Sequence, residues 1–198
     1  MRKKLIWMKV HVPRTLSVAF LAAVAVEITL GALPANFPWE LNIDARWGLL
    51  LPLVTASICA MMLYSGLGVL EISSRSRWKY IRIIWCLAIG VVFCIPVFWT
   101  NDGLYFSGSL RNRMIIYALT CLTTILIRSV LAVLTPTFVM FVSMLAAGTH
   151  DAPAQIGLLT QPASSSLQLL LSGVLLIFAS FAYGFCYPPK WARARDFE

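Results

Sequence analysis

The feature that most constrains this chain is its series of long apolar runs, each closed off by a short polar stretch. They are "TLSVAFLAAVAVEITLGAL" (15–33), "WGLLLPLVTASICAMMLYSGLGVL" (47–70), "RIIWCLAIGVVFCIPVFW" (82–99), "MIIYALTCLTTILIRSVLAVLTPTFVMFVSMLAA" (114–147) and "SLQLLLSGVLLIFASFAYGFCY" (166–187). Runs of about 18 or more apolar residues match the length a helix needs to cross a bilayer. Composition agrees: 60% of the 198 residues are hydrophobic and only 12% are charged, about half the charged share of a soluble domain. The expected fold class is therefore all-α, a polytopic integral membrane protein of about six transmembrane helices in the cell membrane.

The count of six comes from the fourth run. As one helix it would be about 50 Å long, against a hydrocarbon core of about 30 Å. Pro136 disfavours helix at the residue before it and removes a donor. A turn at 134–137 therefore divides the run, and the expected spans are 15–33, 47–70, 82–99, 114–133, 137–152 and 166–187. The fifth is short: the clearly apolar part, 137–147, reaches about 17 Å. It either continues past His150 and Asp151 or gives way to a re-entrant piece near 155–159. The basic N-terminus followed by an apolar stretch also suits a signal peptide, but about 19 apolar residues exceed a usual signal core, so it is read as the first span.

Basic residues orient the spans. With both termini cytoplasmic, the inner side holds Arg2, Lys3, Lys4, Lys9, Arg14, Arg75, Arg77, Lys79, Arg82, Arg128, Lys190, Arg193 and Arg195. Only Arg46, Arg111 and Arg113 remain outside, as the positive-inside rule requires. The net charge of +8 thus belongs to membrane surfaces and anionic lipid. No basic-and-aromatic module indicates nucleic acid as a partner.

Chemistry-bearing residues are few. Glu27 is the one acid deep inside an apolar run and Arg128 a cation inside another, which makes them a possible intramembrane polar site. They are offset by roughly 10 Å in depth if their helices stand upright. Arg111, Arg113, His150 and Asp151 read as a solvated outer surface. The cysteines (59, 86, 94, 121, 186) are scattered singly and read as small apolar residues, with no metal-binding spacing. The segments "SGLG" (65–68) and "SGVLLIFAS" (172–180) offer small residues for close helix contact, in the latter Ser172, Gly173, Ala179 and Ser180. No phosphate-binding, zinc-protease or nucleophile-elbow motif is present, so the chain reads as a non-enzyme with no cofactor of its own.

Between the second and third runs lies "LEISSRSRWKYIRI" (70–83). Its basic residues suit anionic lipid, and Trp78 and Tyr80 suit the interfacial belt. The layout around it, a basic tail, a span, an outer loop, a Pro-bearing "WGLLLPLVTASICAMML" span and then "LEISSRSRWKYIR", resembles the permease subunit of ATP-binding-cassette transporters of the type-2 exporter class. It departs from that class in lacking a Gly and a Pro-containing turn in the polar segment. The resemblance implies that Glu71, Ser74, Arg75, Arg77 and Trp78 contact a nucleotide-binding ATPase subunit, which would hold the ATP and Mg. It also implies a second permease subunit, identical or homologous, and a hydrophobic or amphipathic cargo such as a peptide, lipid or drug. The alternative is a non-transporting accessory or immunity protein that binds a partner through the loop 71–82.

Overall fold

The computed structural model describes residues 14–30, 47–63, 77–99, 106–127, 129–147 and 166–186. These residues are helical throughout apart from single turn positions at the helix ends. Among them are six α-helices: α1 (Arg14–Leu30), α2 (Trp47–Leu63), α3 (Arg77–Cys94), α4 (Phe106–Leu126), α5 (Leu134–Ala147) and α6 (Ser166–Cys186). Two short 3-10 segments, Ile95–Phe98 and Ser129–Val133, follow α3 and precede α5. Two helical stretches, Lys79–Phe98 and Ser166–Cys186, are long and apolar enough to cross a membrane; the apolar parts of α1, α2 and α5 are shorter.

Local chemistry explains the breaks. Pro96 ends α3 by opening the 3-10 segment, where the Trp99 amide donates to the Pro96 carbonyl at 2.9 Å. Pro52, by contrast, stays inside α2. The break between α4 and α5 falls at 127–133 rather than at 134–137. The physical reason lies with Pro136: it occupies the first turn of α5, where the missing N–H has no intrahelical acceptor to lose. Thr123 replaces what the break removes, its hydroxyl donating to the Ala132 carbonyl at 2.6 Å.

The helices form a bundle around α4, which packs most extensively against α6 and also touches α2, α3 and α5. The core runs through Cys59, Leu63, Cys86, Phe93, Tyr117 and Tyr183. Two glycines let helices approach closely. A Cβ on Gly90 of α3 would stand 2.8 Å from the Tyr117 ring, and one on Gly184 of α6 would collide with the Ile83 side chain. Gly173 differs: nothing lies within 4 Å of where its Cβ would be. The small residues Ser172, Ala179 and Ser180 are buried, as close packing of α6 demands.

Beside its apolar core the bundle also buries charged and polar side chains, and it exposes large apolar ones. Its centre holds Glu27, Thr55, Arg111, Asn112, Arg113 and Thr120, while Leu21, Ile84, Phe138, Leu170, Phe178 and Phe181 lie on the surface. The pattern is sharpest in α4, where Arg111, Asn112, Arg113 and all three threonines are buried. Its flanking aromatic Phe106 is exposed.

A buried charged cluster as the candidate functional site

Four helices deliver polar groups to one point inside the bundle. Glu27 comes from α1, Thr55 from α2, the Phe93 carbonyl from α3 and Arg113 from α4. The Arg113 guanidinium donates through Nη2 to Glu27 Oε1 in a fully buried ion pair. Through Nη1 it donates to the Phe93 carbonyl at 3.0 Å, and its central carbon lies 5.6 Å from the centre of the Phe93 ring. Thr55 Oγ1 donates to the second carboxylate oxygen, Glu27 Oε2, at 3.2 Å.

Each partner answers a need of the next. A carboxylate in low dielectric is costly unless it is paired and its remaining lone pairs are hydrogen-bonded. Arg113 supplies the charge, and Thr55 occupies the other oxygen. The Phe93 carbonyl is available because α3 gives way to the 3-10 segment only two residues later, and carbonyls near a helix end lose their intrahelical partners.

A second polar group lies on α4 close by. Arg111 donates to Asn112 Oδ1 from Nε at 3.2 Å and from Nη2 at 3.0 Å, and from Nη1 to Gln168 Oε1 of α6 at 3.0 Å. Further along the helix, Thr120 and Thr124 turn their hydroxyls back onto carbonyls of their own helix at 2.8 and 2.7 Å. Polar side chains in α4 thus find partners within the protein.

The positions singled out in the sequence are distributed unevenly. Glu27 stands at the centre of the cluster. Arg77 and Trp78 lie in the first turn of α3. Glu71, Ser74, Arg75 and Arg128 fall outside the described residues, as do 65–68, His150, Asp151 and the expected re-entrant stretch. Arg111 and Arg113 correct an expectation. They are buried inside a helix, because α4 begins at Phe106, well before the first apolar residue of its run at Met114. The sequence carried one usable sign of this, the aromatic Tyr105-Phe106 pair ahead of the arginines, which marks an earlier helix start. Among the described residues no group of three or more His, Cys, Asp or Glu is arranged to hold a metal ion.

The chain matches no family model, no curated protein and no solved structure.

Proposed function

We propose that this chain is a six-span membrane protein with both termini cytoplasmic, and that it works as the transmembrane subunit of an ATP-binding-cassette exporter. The observation that carries the membrane reading is the placement of polar groups: charged and hydroxyl side chains are buried beside the apolar core, while many large Leu, Ile and Phe side chains lie on the surface. In hydrocarbon nothing drives apolar faces inward, and polar side chains hold helices together.

Two exposed aromatic groups supply the scale. One centres on Phe98, whose ring lies 6.1 Å from that of Trp99 and 5.2 Å from that of Phe106, centre to centre. The other is Tyr80 with Phe185, over whose ring Lys79 sits at 5.5 Å. The helical rise from Tyr80 to Phe98 is about 29 Å, close to the hydrocarbon thickness of about 30 Å. Amphipathic rings collect at both edges of that layer. On this placement Arg113, seven residues beyond Phe106, lies about 10 Å below the edge. The 3-10 segment and α5 together carry 19 helical residues, with enough rise for about 31 Å.

The exporter reading rests on the layout of six helices and on the Arg-rich segment joining α2 to α3. In such a subunit, a separate ATPase closes on ATP and pushes the segment at 71–80. The push enters the two helices that carry Thr55 and the Phe93 carbonyl. The ion-paired cluster is where that hairpin meets α1 and α4, so its hydrogen bonds are the ones the stroke must shear or carry along. A second permease subunit completes the path, and the cargo is hydrophobic or amphipathic.

One observation favours the accessory reading. Glu27, Thr55, Arg113 and the Phe93 carbonyl satisfy one another, which suits a bundle held in one arrangement. Purification of the tagged chain in mild detergent, followed by mass spectrometry and an ATPase assay, separates the two. A co-purifying nucleotide-binding subunit that is lost in Arg75→Glu/Arg77→Glu, with the variant still inserted in the membrane, supports the exporter subunit. Recovery of the chain with no ATPase overturns it in favour of the accessory protein.

A further inference from the structure

Along the chain the cysteines are solitary, but folding brings two of them together. Cys86 of α3 and Cys121 of α4 place their sulfurs 3.5 Å apart, both fully buried. Tyr117 sits over the pair, its hydroxyl donating to the Cys86 carbonyl at 2.6 Å and lying 3.5 Å from Cys86 Sγ. All five cysteines are free thiols.

We propose that Cys86 and Cys121 form an oxidisable dithiol, a modification site that fastens α3 to α4 when an apolar organic disulfide reaches it. The reaction is two successive exchanges. One cysteine thiolate attacks the reagent's S–S bond, forming a mixed disulfide and expelling one thiol. The second cysteine then attacks the mixed disulfide at the protein sulfur, forming Cys86–Cys121 and expelling the second thiol. The two cysteine protons leave with the two expelled thiols, the cysteines are oxidised by two electrons, and the reagent is reduced by two.

Two features make this site selective. The sulfurs are already in contact, and closing from 3.5 Å to a bond of about 2.0 Å needs a shift of about 1.5 Å, within reach of side-chain rotation. The surroundings are apolar. Both sulfurs are fully buried, and a cavity of about 140 Å³ with an apolar lining that includes Trp85 and Ile89 lies on the adjoining face of α3, Cys86 itself not being part of its lining. Entry into such an interior is costly for a charged reagent and not for a lipid-soluble one. The inference is independent of the exporter reading.

The test uses the full-length wild-type chain in native membranes and the lipid-soluble reagent 2,2′-dithiodipyridine, with a charged aromatic disulfide in parallel. The expected result is a peptide pair linking Cys86 to Cys121, a mass lower by two hydrogens, and reversal by a phosphine reductant. The charged reagent should leave the pair reduced while it modifies the exposed Cys186. The link should persist in Cys59→Ala. Cys86 and Cys121 recovered as free thiols from folded protein, or joined equally well to Cys59, overturn the proposal. So does equal reaction with the charged reagent.

Discussion

Glu27 and Arg113 stand 86 positions apart in the chain and form a buried ion pair that joins α1 to α4. Thr55 and the Phe93 carbonyl close the group from α2 and α3. The consequence is strong mutual dependence. Removing one member of a buried pair typically costs about 3–5 kcal/mol, because the other charge is left without compensation. Glu27→Gln and Arg113→Met should each lower stability in detergent by about that amount. The double variant should lose less than the sum of the two, with a coupling of about 1–3 kcal/mol. Thermal unfolding followed with a charged thiol-reactive dye reads this, since the buried Cys59, Cys86 and Cys121 are closed to such a reagent in the folded chain. Strict additivity would mean that the two residues do not act as a pair.

The glycines give opposite expectations on one helix. Gly184→Ala puts a methyl group into the Ile83 side chain and 3.1 Å from the Lys79 carbonyl. Overpacking of this kind costs about 1–3 kcal/mol, and Ile83→Ala on the same chain, which removes the colliding Cγ1, should recover part of it. Gly173→Ala meets nothing within 4 Å and should be neutral or slightly stabilising, because alanine is the better helix former. The same unfolding assay checks both.

Two tyrosines hold helices through their hydroxyls. Tyr183 of α6 donates to the Leu63 carbonyl at the end of α2, and Tyr117 donates to the Cys86 carbonyl. Tyr183→Phe removes the bond that crosses between helices while keeping the ring, and should cost about 1 kcal/mol. Faster hydrogen exchange at the end of α2 is the specific readout, since general loosening would raise exchange in every helix.

The membrane placement makes a directional prediction. A single cysteine introduced at Asn101 should react with an impermeant maleimide from outside intact cells. One introduced at Ser74 should react only after the membrane is opened. Peptide mapping distinguishes these sites from native Cys186. Labelling of both positions from the same side would remove the six-span topology.

Much of the helical frame was legible because long apolar runs leave few alternatives. Glu27 was visible for the same reason, as an acid where acids are costly. Its partner was not. The apolar run begins at Met114, so Arg111 and Arg113 looked like residues beyond the membrane edge. Hydropathy registers the cost of burying a charge but not the carboxylate, amide and carbonyl oxygens that offset it, and most of those come from other helices: α1, α3 and α6. The break at 127–133 was misplaced for a related reason. Pro136 signals that a helix boundary is near, yet a proline in a first turn and a proline just after a last turn look alike in sequence. The Cys86–Cys121 contact left no trace in spacing, because it is set by how closely α3 and α4 approach at Gly90.

The position of α4 at the centre of the bundle has a consequence for synthesis. On the membrane reading, α1 leaves the ribosome before α4 and carries Glu27 into the bilayer ahead of its arginine. Arg113 is made 86 residues later, an interval of about 4–17 s at common elongation rates. Throughout that interval the young chain must shelter an acid that lacks its cation, either by holding it protonated or by keeping α1 near the insertion machinery. Assembly of this protein therefore runs on a clock, and the arrival of α4 is the event that stops it.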